Sequence, residues 1–307
     1  MILLFLLCIL IVVFLGGAYY AYRIAFYSPM KDRDRVPSPK EAQYDPYREE
    51  MARVYHQLND RPYELVSIWS HDGLKLSGRY YHVKDGAPLD IGFHGYRSHP
   101  LTDFSGGSEL SFQLGHNLLL IDERAHGKSE GRTIAFGIQE RQDLLGWVNY
   151  AVERFGENVE IILYGVSMGG ATVLMASELE LPENVKGIIS DCPYASPMDI
   201  ILHVGRNMSL PLWLVKPFVI LGAKIFGGFD ILETDAIQAV RSSKVPILLI
   251  HGEDDRYVPC EMSEGVALAN PEKVTRYTFP TAAHGLSYLV DRPRYQKIVK
   301  EFMQKVL

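Results

Sequence analysis

A chain of 307 residues with 47% hydrophobic and 22% charged side chains can bury a large core beneath an ordinary polar surface. Its formal net charge is −6 and it has no long basic run, so it lacks the clustered Lys and Arg that a phosphate backbone requires, and nucleic acid is not an expected partner. Three cysteines, Cys8, Cys192 and Cys260, are too few for a disulfide framework and read as free thiols; neither a Cys-x-x-Cys nor a His-Glu-x-x-His spacing suggests a metal.

Residues 1–22 carry no charged side chain. A helix of about 20 such residues crosses a hydrocarbon core of about 30 Å. Tyr19, Tyr20 and Tyr22 close the run and suit the membrane–water interface. A cleaved signal peptide is the rival reading, but the run has no basic n-region and no small-x-small cleavage site follows it, so a retained anchor is expected. Arg23, Lys31, Arg33 and Arg35 follow the span and no basic residue precedes it, which places the body on the cytoplasmic side by the positive-inside rule. Residues 23–60 read as a juxtamembrane linker with a short helix over 47–59, and the globular domain is expected over 61–307.

That domain opens with alternating strands on either side of His71-Asp72-Gly73, a hairpin signal. Continuous apolar runs follow at 90–93, 117–121, 159–164, 185–190 and 245–250, with helix-length segments such as 138–155 between them. Runs without alternation predict strands covered on both faces, hence a mostly parallel sheet flanked by helices in an α/β fold. Residues 194–235 are longer than a crossover helix needs and are rich in apolar side chains, interrupted by Lys216, Pro217 and Lys224. They predict an inserted helical cap and not a second span.

The chemistry centres on Gly165-Val166-Ser167-Met168-Gly169, which lies between a predicted strand and a predicted helix. That context distinguishes a nucleophile elbow from a chance Gly-x-Ser-x-Gly, because a tight strand-to-helix turn needs glycine on both flanks of the serine. A serine hydroxyl needs a base, and on such a fold the chain order is serine, acid, histidine. Only His203, His251 and His284 follow Ser167; His203 falls in the cap and His251 in the turn that supplies the acid, which leaves His284. The acid comes from His251-Gly252-Glu253-Asp254-Asp255, where Asp255 is preferred, Asp254 is the reserve and Asp191 a third candidate. An N-cap or turn role is the alternative for either member of the Asp pair. Backbone N–H groups of Met168 and Tyr96 are the expected oxyanion donors, the second from the loop His94-Gly95-Tyr96-Arg97-Ser98.

Taken together, His94-Gly95, the segment Asp122 to Gly131, Gly165–Gly169, His251–Pro259 and His284 resemble the α/β-hydrolase superfamily, in its monoglyceride-lipase-like or serine-aminopeptidase-like branch. The resemblance covers residues 64–307. It implies that the acid is Asp255, in the pattern His-Gly-x-x-Asp-x-x-Val-Pro, and that Asp122, Arg124, His126 and Gly127 form a structural loop in which Ala125 replaces the usual glycine. The Gly-Gly commonly found after His-Gly is missing. The implied activity is hydrolysis of carboxylic esters through an acyl-enzyme, with no cofactor. Trp213, Phe218 and Phe226 either roof a hydrophobic pocket or dock the cap on the body, and the anchor favours a lipid-derived ester as substrate. Alternatives are a peptidase or amidase with Asp230, Glu233 or Asp235 binding an amino terminus, and a non-catalytic membrane-tethered binding protein.

Overall fold

A computed structural model describes residues 2–29 and 42–307. Lys31, Arg33 and Arg35, on which the orientation of the anchor partly rests, lie outside the described residues. The first helix, α1 (Ile2–Ala25), runs three residues past the end of the uncharged stretch. Arg23 does not stop it, because its guanidinium lies 3.8 Å from the Tyr27 ring centroid. The first half of α1 is exposed, whereas Ala18 and Tyr22, with Phe26 just beyond, are buried in the body. Tyr27 then forms an antiparallel bridge with Thr133, and the Ser28 N–H donates to the Arg132 carbonyl at 2.9 Å.

A 3₁₀ turn (Ala42–Tyr47) leads into α2 (Arg48–Asn59). The predicted hairpin follows as β1 (Glu64–Trp69) and β2 (Lys75–Tyr81), with Glu64 opposite Tyr80 and Trp69 opposite Lys75. Next come β3 (Leu89–Phe93), α3 (Ser105–Leu114), β4 (Asn117–Asp122), α4 (Glu140–Phe155), β5 (Ile161–Val166), α5 (Met168–Ala176) and β6 (Val185–Asp191). The eight-stranded sheet has the order β1-β2-β4-β3-β5-β6-β7-β8, where β7 is Ile247–Gly252 and β8 is Val274–Phe279. Strand β2 is antiparallel to β1 and β4, and every other pairing is parallel.

The uninterrupted apolar runs are explained by burial on both faces. In β4, Leu119 and Ile121 enter one core while Leu118 and Leu120 enter the other; Ile247 and Leu249 divide in the same way from Leu248 and Ile250 in β7. Strands β5 and β7 lie two residues later than their apolar runs suggest, because Gly165 and Gly252 belong to the strands instead of the turns. A Cβ on Gly252 would sit 2.2 Å from the Ala282 carbonyl oxygen, so backbone packs directly on backbone there.

Between β6 and β7 the expected cap is helical: α6 (Pro197–Asn207), α7 (Leu212–Leu221), a π-helical turn (Gly222–Gly227) and α8 (Ala236–Arg241). Of the three aromatics singled out in the sequence, two face α1. Phe218 packs on Phe14 at 5.0 Å between centroids and Phe226 on Tyr19 at 5.2 Å, while Trp213 is 80% exposed. Helices α9 (Cys260–Ala269) and α10 (Arg292–Val306) complete the layers.

Arg124 braces the loop after β4. Its Nε and Nη2 donate to Asp143 at 2.5 and 2.6 Å, and its remaining donors reach Asp72 and Gln139. Both members of the Arg124–Asp143 pair are buried. Arg124→Ala leaves Asp143 buried without its counter-charge and is expected to destabilise the fold by about 3–5 kcal/mol. Denaturant unfolding of the detergent-solubilised chain checks this; a change within experimental error would contradict it.

Candidate active site

The residues singled out in the sequence converge at the carboxyl ends of the parallel strands, where open α/β sheets place their ligands. Ser167 follows β5, the loop His94–Ser98 follows β3, Asp255 follows β7 and His284 follows β8. Ser167 occupies the turn between β5 and α5 with φ 55° and ψ −112°, a backbone conformation hostile to a side chain. Its N–H donates to the Asp191 carbonyl at 2.8 Å, which ties the turn to the neighbouring strand. Glycine is obligatory on either side, since a Cβ on Gly165 would lie 2.1 Å from the Gly169 carbonyl oxygen and one on Gly169 would lie 1.9 Å from that of Phe93.

His284 Nε2 is 3.0 Å from Ser167 Oγ, and His284 Nδ1 is 2.7 Å from Asp255 Oδ2. The other carboxylate oxygen of Asp255 accepts from the N–H groups of Tyr257 and Val258 at 2.9 and 2.8 Å. His251 Nε2, which donates to the Val258 carbonyl, also lies 3.3 Å from Asp255 Oδ2. Burial opposes ionisation of Asp255, but the His284 charge and the hydrogen bonds from His251, His284 and Val258 outweigh it and hold the carboxyl far below the usual range.

Asp254 is exposed and turned away, with its N–H on the Ala282 carbonyl. Asp191 is buried at the end of β6, where it accepts from the Tyr295 hydroxyl at 2.9 Å; burial raises it to about 6. It is therefore engaged with Tyr295. Of the three acidic candidates, only Asp255 is hydrogen-bonded to His284 among the described residues.

Sequence reasoning did not foresee the role of Cys192. It sits at φ 46° directly after β6, and its sulfur lies within 4.8 Å of the ligating atoms of Asp255 and His284. Burial of the His284 imidazole disfavours its protonation, yet Cys192 and Asp255 beside it raise its pKa well above 6.5. Because burial pushes the Cys192 thiol up to about 11, that thiol is neutral near pH 7 and the Asp255 carboxylate is the charge that acts.

The loop after β3 lies against the serine turn: a Cβ on Gly95 would be 3.3 Å from Ser167 Cβ. Tyr96 follows Gly95 in this loop, and Met168 opens α5 directly after Ser167. Asp103 fixes the loop by accepting from the Gly95 N–H at 2.6 Å, and His126 Nε2 accepts from the Arg97 N–H at 3.0 Å. The same loop holds the end of α1. The Tyr96 hydroxyl donates to the Ala25 carbonyl at 2.8 Å, while Arg97 Nη2 donates to the carbonyls of Ile24 and Tyr27 at 2.8 and 3.1 Å. Four carbonyls at a helix end require outside donors, but nothing in the sequence says that these come from a loop 70 residues away. A further unforeseen contact comes from the linker, where Tyr44 donates its hydroxyl to the His284 carbonyl at 3.2 Å.

The acids considered for an amino-terminus site are occupied. Glu233 pairs with Arg141, Asp235 caps α8 through the Gln238 N–H at 2.7 Å, and Asp230 accepts from the Leu232 N–H at 3.0 Å. His94, Glu123 and His126 bring ligating atoms within 4.8 Å of one another. All four ring nitrogens in that cluster nevertheless bond to backbone groups, namely Gly95 O, Glu123 N, Arg124 O and Arg97 N. Burial and the nearby Glu140, Asp143 and Asp103 carboxylates raise Glu123 well above the carboxylate range, and the two imidazoles spend their nitrogens on bracing the loops after β3 and β4.

Residues 93–231 match the family model for the alpha/beta hydrolase fold. The chain is 24% identical over 291 residues, 94% of its length and 92% of the relative's, to the uncharacterized protein YqkD of Bacillus subtilis. It is 32% identical over 137 residues, 44% of this chain and 42% of the relative, to thiohydrolase aneE of Aspergillus aculeatus. Esterase Pf2001 of Pyrococcus furiosus superimposes with a TM-score of 0.65 at 26% identity, covering 82% of this chain and 95% of that one. Fold and kinship define a hydrolase. The chain has the α/β-hydrolase fold, and the matched family model and the esterase neighbour support its membership of that superfamily.

Since His284 binds its proton more tightly folded than unfolded, its protonation adds stability that is fully present below pH 6.5 and is lost as pH rises through the folded pKa. Histidine NMR titration is expected to find the His284 imidazolium persisting above pH 6.5 and to find its pKa lowered in Asp255→Asn. An unchanged pKa in that variant would contradict the assignment of Asp255 as the acting charge.

Proposed function

We propose that this hydrolase is a membrane-anchored serine esterase acting on hydrophobic, lipid-derived carboxylic esters, with Ser167 as nucleophile, His284 as base and acid, and Asp255 as the orienting carboxylate. The observation that carries the reading is the unbroken hydrogen-bonded line from Ser167 Oγ through His284 to Asp255, at 3.0 and 2.7 Å. In the neutral tautomer His284 Nδ1–H donates to Asp255, leaving the Nε2 lone pair to accept the Ser167 proton as Oγ bonds to the acyl carbon. The N–H groups of Met168 and Tyr96 bind the developing oxyanion, each worth about 2.7–4 kcal/mol of transition-state stabilisation. His284 returns the proton to the departing alkoxide as the ester C–O bond breaks. Water then attacks the acyl-enzyme, giving a proton to His284, which passes it back to Ser167 as the acid leaves.

Retention of α1 as an anchor is supported by the burial of Ala18, Tyr22 and Phe26 in the body and by the donors that Tyr96 and Arg97 give to its end. Removing such a helix would strip the loop of its partners, which disfavours a cleaved leader. The charge pattern after the span supports a cytoplasmic body. Occupation of Asp230, Glu233 and Asp235 by structural partners disfavours the aminopeptidase reading. The kinship with thiohydrolase aneE favours thioesters as a second substrate class, since the acyl-enzyme chemistry is the same.

A fluorophosphonate probe is expected to label the full-length chain and not Ser167→Ala, and Asp255→Asn is expected to lower kcat by about 10⁴-fold. Oxyesters, thioesters and amides of one acyl chain, assayed side by side with acyl length varied, sort the substrate classes. Folded protein that takes no label, or Ser167→Ala with undiminished hydrolysis, would refute the mechanism.

A further inference from the structure

The apolar segment Leu4–Ala25 has 22 residues, a length of about 33 Å at 1.5 Å per residue, enough for a hydrocarbon core of about 30 Å. Only part of it stands clear of the body. Among the described residues the first ring contact with the cap is Phe14 on Phe218, and the stretch ahead of it, residues 2–13, accounts for about 18 Å of axis. The shortfall of about 12 Å against the core must be made up by the half of α1 that α7 and the following turn already flank, and tilting the helix only enlarges it.

The two segments run side by side in the same direction. Phe218 packs on Phe14 and against Gly17, where a Cβ would come within 2.7 Å of its ring. A Cβ on Gly222 would meet the Ala18 carbonyl oxygen at 2.6 Å and the Tyr22 nitrogen at 3.0 Å, and Phe226 lies against Tyr19 and Tyr22. The start of α7 therefore points toward the free end of α1. Trp213, five residues before Phe218, extends about 7 Å further in that direction.

The outer end of the cap is composed for lipid. Met208, Leu210, Trp213 and Leu214 are all exposed, and Ile225 and Phe226 continue the apolar surface beside α1. From Ile200 to Phe229 there is no Asp or Glu, while Arg206, Lys216 and Lys224 supply positive charge that can reach headgroups on flexible stems.

From this continuity between an apolar anchor and an acid-free apolar cap, we infer that residues 208–214 of the cap enter the same bilayer leaflet as α1, so that the protein is anchored by a helix and a monotopic wedge together. The inference rests on the retained-anchor reading. It deepens the proposed substrate class, because α6 of this cap reaches the Asp255 loop, with His203 Nε2 3.4 Å from the Arg256 carbonyl. An acyl ester would then reach Ser167 from the leaflet without crossing water.

The test uses full-length chain in phosphatidylcholine vesicles, with Trp69→Phe retaining Trp213 and Trp213→Phe retaining the exposed Trp69; Trp147 is buried in both. Flotation with the vesicles scores the anchor. Lipid brominated on its acyl chains scores the cap, with aqueous iodide as the opposing quencher. Bromolipid is expected to remove the Trp213 emission and iodide to spare it, with the reverse for Trp69. Protein that floats while Trp213 answers only to iodide overturns the wedge and leaves the anchor standing. A Trp213 silent to both quenchers means that a second copy covers the cap, which also overturns it. Failure to float overturns the anchor and the wedge with it.

Discussion

The site depends on one constraint, the close approach of the first turn of α5 to the ends of β3 and β5. That approach forces Ser167 into φ 55° and ψ −112°, a conformation costing on the order of 1–3 kcal/mol for a residue with a side chain. The strain persists because the surrounding frame determines it: the Ser167 N–H is held by Asp191, and the Ser167 carbonyl accepts from the Ala171 N–H in the first turn of α5. Gly169 packs against the Phe93 carbonyl, and Gly95 in the loop leaving β3 packs against Ser167. The same packing sets Ser167 at a helix N-terminus and brings Gly95 alongside.

A second dependence joins this centre to the anchor. The carbonyls ending α1 carry the negative end of the helix dipole, and Arg97 answers them with a guanidinium while Tyr96 adds a hydroxyl. Two adjacent residues thus join the two parts: they follow Gly95, which lies against Ser167, and their side chains hold the end of α1. The position of α1 and the shape of the loop beside Ser167 are thereby coupled. Tyr44, arriving from the other end of the linker, touches the backbone of His284.

How much of this was legible in the sequence follows from how local each signal is. Ser167 announced itself through glycines demanded by a turn of five residues, and His284 through chain order alone. The hairpin at Asp72-Gly73, the two-faced strands and the helical nature of 194–235 were legible because their periodicity is short-range. The preference for Asp255 over Asp254 rested on the resemblance to the pattern His-Gly-x-x-Asp-x-x-Val-Pro, because both lie in one turn and only its three-dimensional path exposes Asp254 and buries Asp255. The docking of Phe218 and Phe226 on α1 was equally hidden, because an apolar aromatic carries no label for its partner. Strand ends were misjudged where Gly165 and Gly252 sit inside strands, positions where backbone meets backbone and glycine acts as a spacer instead of a turn. Ala125, noted as a departure from the family pattern, takes φ 63°, the left-handed conformation that the usual glycine there adopts freely.

The central claim is that Ser167 carries the acyl group. A hindered ester that deacylates slowly, mixed with the full-length chain, quenched in acid and examined by intact-mass and peptide mass spectrometry, tests it directly. The account predicts one acyl adduct, on the peptide containing Ser167, that disappears in Ser167→Ala. An adduct on Cys192, or ester turnover with no covalent intermediate at any residue, would contradict it.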